Sequence, residues 1–263
     1  MAYSFGKQHG GGKKLFYFHI NFTAMRYYYL LLACAMTAAS CEFVGGERIR
    51  GNGNVLSTDR SVSSFNGVNS AGFFDVYLST GADYSLRLEG EENILEYIET
   101  YVEGNTLHIR TRDGYNLKTR RDVNIYITAP DYRSVSLRGS GDINSQDKLC
   151  NSSSIELSVA GSGDIDVDLD APKIRTELSG SGDIELSGDT RDFSASIRGS
   201  GDIDAFDLRS ENTDISISGS GNANVFASMK LNVEVRGSGN VRYKGGASVT
   251  SDIRGSGDVR KAN

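Results

Sequence analysis

The chain has 263 residues, with 28 Lys and Arg against 34 Asp and Glu, 31 Gly, 2 Pro and no Trp. This is the composition of a folded protein with a polar surface, and it excludes a sugar platform built from Trp rings. Four of the basic residues and none of the acidic ones precede Cys41. The remainder therefore carries ten excess negative charges, which argues against a nucleic-acid partner and against electrostatic attraction to anionic lipid.

Residues 1–24 precede a self-sufficient leader and read as an upstream start, so they are set aside. The leader occupies residues 25–40. Arg26 opens it, an apolar run extends from Tyr27 to about Met36, and Ala38-Ala39-Ser40 stand before Cys41. A basic start, a short apolar stretch and small residues at the end form an export signal. The apolar run is shorter than the roughly 20 residues needed to span a bilayer. Small residues directly before a cysteine are the pattern of a bacterial lipobox, which makes Cys41 the expected lipid site. Ala38 stands where the pattern usually has Leu. Alternatives are "LLAC" ending at Cys34, plain secretory cleavage, and a retained segment. Residues 41–47 read as a linker and 48–263 as a single β-helix domain, with a less regular half at 48–135 and a repeat half at 136–260. The remaining cysteine, Cys150, has no intramolecular disulfide partner, so packing must supply stability.

In the less regular half, "IRGNGNV" puts Ile49 and Val55 in the register of the repeats described below, as an eighth copy centred on Gly51. "VNSAGFF" at 68–74 reads as a degenerate rung. "EENILEYIETYVEG" has Ile94, Leu95, Ile98 and Val102 at helical spacing, closed by Gly104. It predicts a short helix capping the domain. The polar, basic span 113–121 reads as an exposed hairpin tip or loop.

The repeat half carries Gly-Ser-Gly-Asp or Gly-Ser-Gly-Asn beginning at Gly139, Gly161, Gly180, Gly199, Gly219, Gly237 and Gly255, at intervals of 18 to 22 residues. Two residues before each first Gly stands a large apolar residue, from Leu137 to Ile253. Four residues after it stands Ile, Val or Ala, from Ile143 to Val259. Polar residues alternate between them, so each repeat holds two short strands with one buried face. One rung cannot bury that face by itself, but stacked rungs can. The expected fold is all-β: a right-handed parallel β-helix of about 18–22-residue rungs, with a short helix in its N-terminal half. A propeller blade needs about 40 residues and is excluded. A flat antiparallel hairpin array is the rival architecture.

The glycines then read as structural corners that need φ > 0, with Ser and Asp or Asn closing the turn through backbone N–H groups. The competing reading is a cation ladder. Stacked carboxylates suit Ca²⁺, and Asp164 and Asp183 are the adjacent pair that lacks a preceding Arg, having Ala160 and Ser179 instead. The nine-residue period of calcium-binding β-rolls is absent.

The leader, "FNGVNSAGFFDVYLSTG", "LEGEENILEYIETYVEGNTLHIRT", "VNIYITAPDYRSVSLRGSGDI" and the following rungs together resemble the putative auto-transporter adhesin, head GIN domain family, over roughly residues 48–260. The family is common in Bacteroidetes. The resemblance implies a β-helical, exported, envelope-associated protein and supplies no catalytic residues.

Function is therefore expected to be non-enzymatic: an envelope lipoprotein, held in the outer membrane by lipid on Cys41 and lying in the periplasm or at the cell surface. Its rows of Ser, Asp, Asn and Arg would meet a glycan or a surface protein, or serve only as a solvated face. A polysaccharide lyase or glycoside hydrolase is the first alternative. It would need long loops walling a cleft and a positioned acid and base. His108, the one His after Cys41, sits in an alternating strand and reads as packing or surface. A periplasmic sensor or regulatory partner is the second alternative. No cofactor is expected beyond the candidate Ca²⁺. The final rung ends in an open edge followed by Arg260 and Lys261, whose charges would oppose edge-to-edge pairing and favour a monomer.

Overall fold

The computed structural model describes residues 46–262. Cys41 and the whole leader lie outside these residues. The described chain is an all-β solenoid whose rungs stack in parallel. Each rung contributes one strand to each of two faces, joined at the Gly-Ser-Gly corner.

The first face stacks Thr106–Thr111, Gly67–Gly72, Ser134–Gly139, Ile155–Gly161, Lys173–Gly180, the latter parts of Ile184–Gly199 and Ile203–Gly219, Lys230–Gly237 and Ser248–Gly255. The second face stacks Asn124–Ala129, Asp75–Thr80, Ile143–Ser145, Ile165–Asp170, the first parts of the same two long strands, Ala223–Phe226, Val241–Lys244 and Val259–Lys261. Register is held at every corner: Gly72 pairs with Gly139, and from there each first Gly pairs with the next, to Gly255. "VNSAGFF" is thus a true rung.

The inner face of each strand forms the core. Leu137, Val159, Leu178, Ile197, Ile217 and Val235 make one buried column, and Ile143, Ile165, Ile184, Ile203, Ala223 and Val241 make the other. Stacked aliphatic side chains at the strand spacing of about 4.8 Å bury each other, which no single rung can achieve. The last rung is different. Ser248–Gly255 is exposed along its whole length, and Ile253 is 36% exposed.

Chain order and spatial order part company near the N-terminal end. The rung at 67–80 is followed in space by 134–145, while residues 84–129 fold to its other side. There the ladder changes direction. Ser85–Glu91 runs antiparallel to both Asn124–Ala129 and Val55–Asp59, and Ile98–Glu103 runs antiparallel to Thr106–Thr111. These hairpins cap the solenoid and occupy the hydrogen-bonding edges that would otherwise be open.

The expected capping helix shrinks to one turn, Glu92–Leu95, and the rest of the stretch is the strand Ile98–Glu103. Two causes are visible. Arg60 donates to the carbonyls of Leu95 (2.8 Å) and Ile98 (2.7 Å) and to Thr100 Oγ1 (3.0 Å), so those carbonyls are taken by a side chain instead of the next helical turn. Ile98 to Val102 is also rich in β-branched and aromatic residues, which favour a pleated strand. Gly104 and Asn105, with φ of 57° and 64°, then form a two-residue hairpin turn whose twist matches its strands.

The copy centred on Gly51 is not a rung. Glu47–Arg50 pairs with Tyr115–Lys118 in a separate two-stranded sheet, and Val55–Asp59 runs antiparallel in the cap with Val55 half exposed. Part of the span expected as an exposed tip is therefore strand. The contact beside Gly51 is the Glu91 carboxylate, not the backbone of another corner.

Candidate functional site

The corners have two constraints, and Gly199 with Gly201 shows both. Gly199 has φ of 138°, and a Cβ on it would lie 2.2 Å from the carbonyl oxygen of Gly180; a Cβ on Gly201 would lie 1.9 Å from that of Gly182. The Gly180 oxygen accepts N–H bonds from Ser200 (2.9 Å) and Gly201 (3.2 Å). Backbone therefore packs on backbone from rung to rung, with no room for side chains. The same bonding recurs at Gly139, Gly161, Gly199, Gly219 and Gly237, each of whose carbonyls accepts from the Ser of the following corner.

The acidic corner position forms a column of its own. The N–H of Asp164 reaches Asp142 Oδ1 at 3.1 Å, that of Asp183 reaches Asp164 at 2.7 Å, and that of Asp202 reaches Asp183 at 2.8 Å. Asn222 continues the series onto Asp202, and Asn240 onto Asn222, each adding a side-chain amide bond of 3.0 Å. The side chain thus ties adjacent rungs together instead of closing its own turn. Asp164 and Asp183, the candidate cation pair, stand next to each other with one Asp164 oxygen engaged in this way. Among the described residues no three metal-ligating side chains cluster.

Register extends the column to Asp75, which pairs with Asn124 on one side and precedes the Val76–Ile143 pair on the other. Burial raises the Asp75 carboxyl above its ordinary range, and the charges of Asp142 and Asp122 push it further, while a backbone N–H from Asp142 partly offsets them.

Several grooves run over the outside of the described stack. One of about 560 Å³ lies on the first face. Its floor is set by the short side chains of Ser196 and Ser216, which sit in one column between Glu177 and Glu234, with Asp214 and Asn232 alongside. Arg198 and Arg236 border it, paired with Glu177 at 3.8 Å and Glu234 at 2.5 Å. The second groove, about 430 Å³, lies beside the corner on the second face and is lined by Asn222, Asn224, Asn240, Arg242 and Arg260 together with Asp202 and Asp258.

The cap carries aromatic and charged groups that hold its hairpins. Tyr101 stacks on His108 at 5.0 Å, and His108 Nδ1 contacts the Asn69 amide at 3.2 Å. Arg110 and Arg112 share Glu99 at 3.0 and 3.4 Å. The fully buried Glu91 carboxylate accepts N–H bonds from Gly53 (2.6 Å) and Arg120 (2.7 Å). Burial alone would raise its pKa, but the N–H groups of Arg120, Gly53 and Arg121 and the Arg120 charge outweigh it and hold the carboxyl below the ordinary range. Nothing in the sequence marks Glu91, since an acidic residue at the start of a predicted helix is ordinary.

Solved structures share this architecture. A "putative adhesin" from Bacteroides fragilis superposes with a TM-score of 0.76 at 24% identity, over 81% of this chain and all of the other. A "putative lipid binding protein" from Parabacteroides distasonis gives 0.72 at 25% identity, over 82% of this chain and all of the other. A "putative adhesin" from the same species gives 0.63 at 24%, again over 82% and all. A search of curated proteins finds no match. With these repeats and this topology, and with residues 64–247 matching its model, the chain belongs to the family described as putative auto-transporter adhesin, head GIN domain.

Proposed function

We propose that the protein is an exported, non-enzymatic binding solenoid, anchored in the outer membrane by lipid on Cys41, that holds a glycan or a surface protein on its first face. One observation carries this reading. From Ser134–Gly139 to Lys230–Gly237 the first face is an unbroken parallel ladder in constant register, with a polar groove crossing its outer columns. Such a face is rigid and repetitive, and it offers hydrogen-bonding side chains at one fixed spacing, which suits a polymer that itself repeats. Short Ser residues flanked by Glu, Asp and Asn present acceptors and donors that hydroxyl groups can match.

The family membership and the names of the structural relatives accord with adhesion. The lipid-binding name of one relative would place a lipid on an outer face here, because the inner faces are packed with aliphatic columns. No helix among the described residues is long and apolar enough to cross a membrane, and a lipid at Cys41 supplies the attachment in this reading.

A glycan array and a cross-linking pull-down with the purified protein test this function. Ser216→Arg, which fills the groove floor from an outward position, is expected to abolish at least one of the signals found with the wild type. Retention of every ligand by this variant would reject the first face as the binding surface.

A further inference from the structure

The second groove differs chemically from the rest of its face. Along the outward column just past the corner, successive rungs carry Asp166, Glu185 and Asp204, then Asn224, Arg242 and Arg260. The corner column changes from Asp164, Asp183 and Asp202 to Asn222 and Asn240, and returns to aspartate at Asp258 in the last rung. Nothing in the backbone demands the change, since the strands keep their register through it. Residues 225–262 hold seven Lys and Arg against three Asp and Glu, in a protein that is otherwise acidic.

The groove's charges are unevenly compensated. Asp202 Oδ1 accepts both the backbone and side-chain N–H of Asn222. Asp258 is ion-paired with Arg260. Arg242 is exposed, and among the described residues it has no carboxylate within ion-pair reach. Its register partners are Asn224 and Arg260. Two guanidinium groups therefore occupy neighbouring rungs, about 4.8 Å apart at the backbone, and the Asp258 carboxylate pairs with Arg260. An anion bridging the pair would relieve this repulsion and take the planar hydrogen-bonding geometry that Arg offers.

We propose that this groove binds an acidic polysaccharide, with a carboxylate or sulfate group held by Arg242 and Arg260 and neighbouring hydroxyls held by Asn222, Asn224 and Asn240. The choice of a sugar polymer follows from the surroundings. A polyanion charged at every unit, such as a nucleic acid, would meet Asp204, Glu185 and Asp166 as it ran along the column. A sparsely charged, hydroxyl-rich chain can place one charge at the arginines and hydrogen-bond elsewhere. This site is separate from the first-face groove and does not depend on it.

Titration of the purified protein with hyaluronan, which has one carboxylate per disaccharide, kappa-carrageenan, which has one sulfate per disaccharide, and neutral dextran, at low and at physiological salt, tests the assignment. Binding of at least one acidic polymer and weak or absent binding of neutral dextran are expected, with the two acidic arms deciding between carboxylate and sulfate. Arg242→Gln should weaken acidic-polymer binding about ten-fold, and Arg242→Lys should restore part of it. Asn224 shows that a neutral amide is accommodated in this column, and circular dichroism of the Gln variant checks that the fold is kept. Arg138→Gln, which removes an exposed charge outside the groove, should leave acidic-polymer binding unchanged. The proposal is overturned if neither acidic polymer binds, if neutral dextran binds equally well, or if Arg242→Gln has no effect. An equal loss of acidic-polymer binding in Arg138→Gln would also overturn it, because binding would then follow net charge and not the groove.

Discussion

Gly199 lies so close over Gly180 that a Cβ on it would stand 2.2 Å from the Gly180 carbonyl oxygen, an atom already holding the N–H groups of Ser200 and Gly201. A side chain here meets both an unfavourable backbone angle and a fixed backbone neighbour. Gly199→Ala is expected to destabilise the solenoid by about 2–4 kcal/mol in urea denaturation, more than the roughly 1–3 kcal/mol of dihedral strain alone. Ser200→Ala, which leaves the backbone bond in place, should cost under about 1 kcal/mol. Equal effects of the two changes would show that the corner is held by its hydroxyl.

Thr176 occupies the inner column between Leu157 and Ala195, fully buried, and its hydroxyl has no hydrogen-bond partner among the described residues. Thr176→Val keeps the shape and removes the unpaired group, so it should stabilise by about 1 kcal/mol. Ile197→Ala, two positions along the next rung's strand from Ala195, should cost about 2–5 kcal/mol by opening a cavity. Ile253→Ala should cost much less, because Ile253 remains partly exposed. Thermal melts of the three variants check this order.

Glu91 links the N-terminal segment to the cap, and its carboxyl is held below the ordinary range when folded. A depressed folded pKa stabilises fully above the unfolded value of about 4.3 and loses that contribution as pH falls through the lower folded value. Glu91→Gln should therefore destabilise at pH 7, with the difference from wild type shrinking as the pH is taken down through that window. Denaturation midpoints across the acid range would show a constant difference if the charge were irrelevant.

Asp75 has the opposite sign. Its folded pKa is raised, so its contribution is greatest below the unfolded value of about 3.9 and is lost as pH rises through the folded value. Asp75→Asn should stabilise at pH 7, by less than about 1 kcal/mol because the site is partly solvated, and should give no gain at pH 3. Asn is already present in this column at Asn124, Asn222 and Asn240. A variant less stable than wild type at pH 7 would mean that the carboxylate is needed as a hydrogen-bond acceptor.

Cys41→Ser tests the anchor. The variant should leave the membrane fraction and appear soluble or uncleaved, with a mass lacking the lipid. Unchanged membrane partition and unchanged mass would remove Cys41 from consideration and turn attention to Cys34.

The inner columns were legible from sequence because period-two alternation and a period near 20 residues are local, repeated signals: Leu137 to Val235 and Ile143 to Val241 could be assigned to the inside from spacing alone. The corners were half legible. Positive φ at Gly199 follows from local steric rules, but the need for glycine at Gly201 comes from the carbonyl of Gly182, a whole rung away. The cap was not legible. Ile94, Leu95, Ile98 and Val102 keep helical spacing, and only the folded chain brings Arg60 to the carbonyls that would have continued the helix. Gly51 matched the repeat register while its neighbour in space is Glu91. The grooves belong to the same class. Each residue of Asn222, Arg242 and Arg260 is unremarkable in its own rung, and stacking at the strand spacing makes them one surface. Alternation and period are properties of neighbouring residues, so the sequence determined the strands, the corners and the stack. Contacts between residues some 20 to 40 positions apart depend on which rung lies against which, and the tertiary structure alone decided the cap and the grooves.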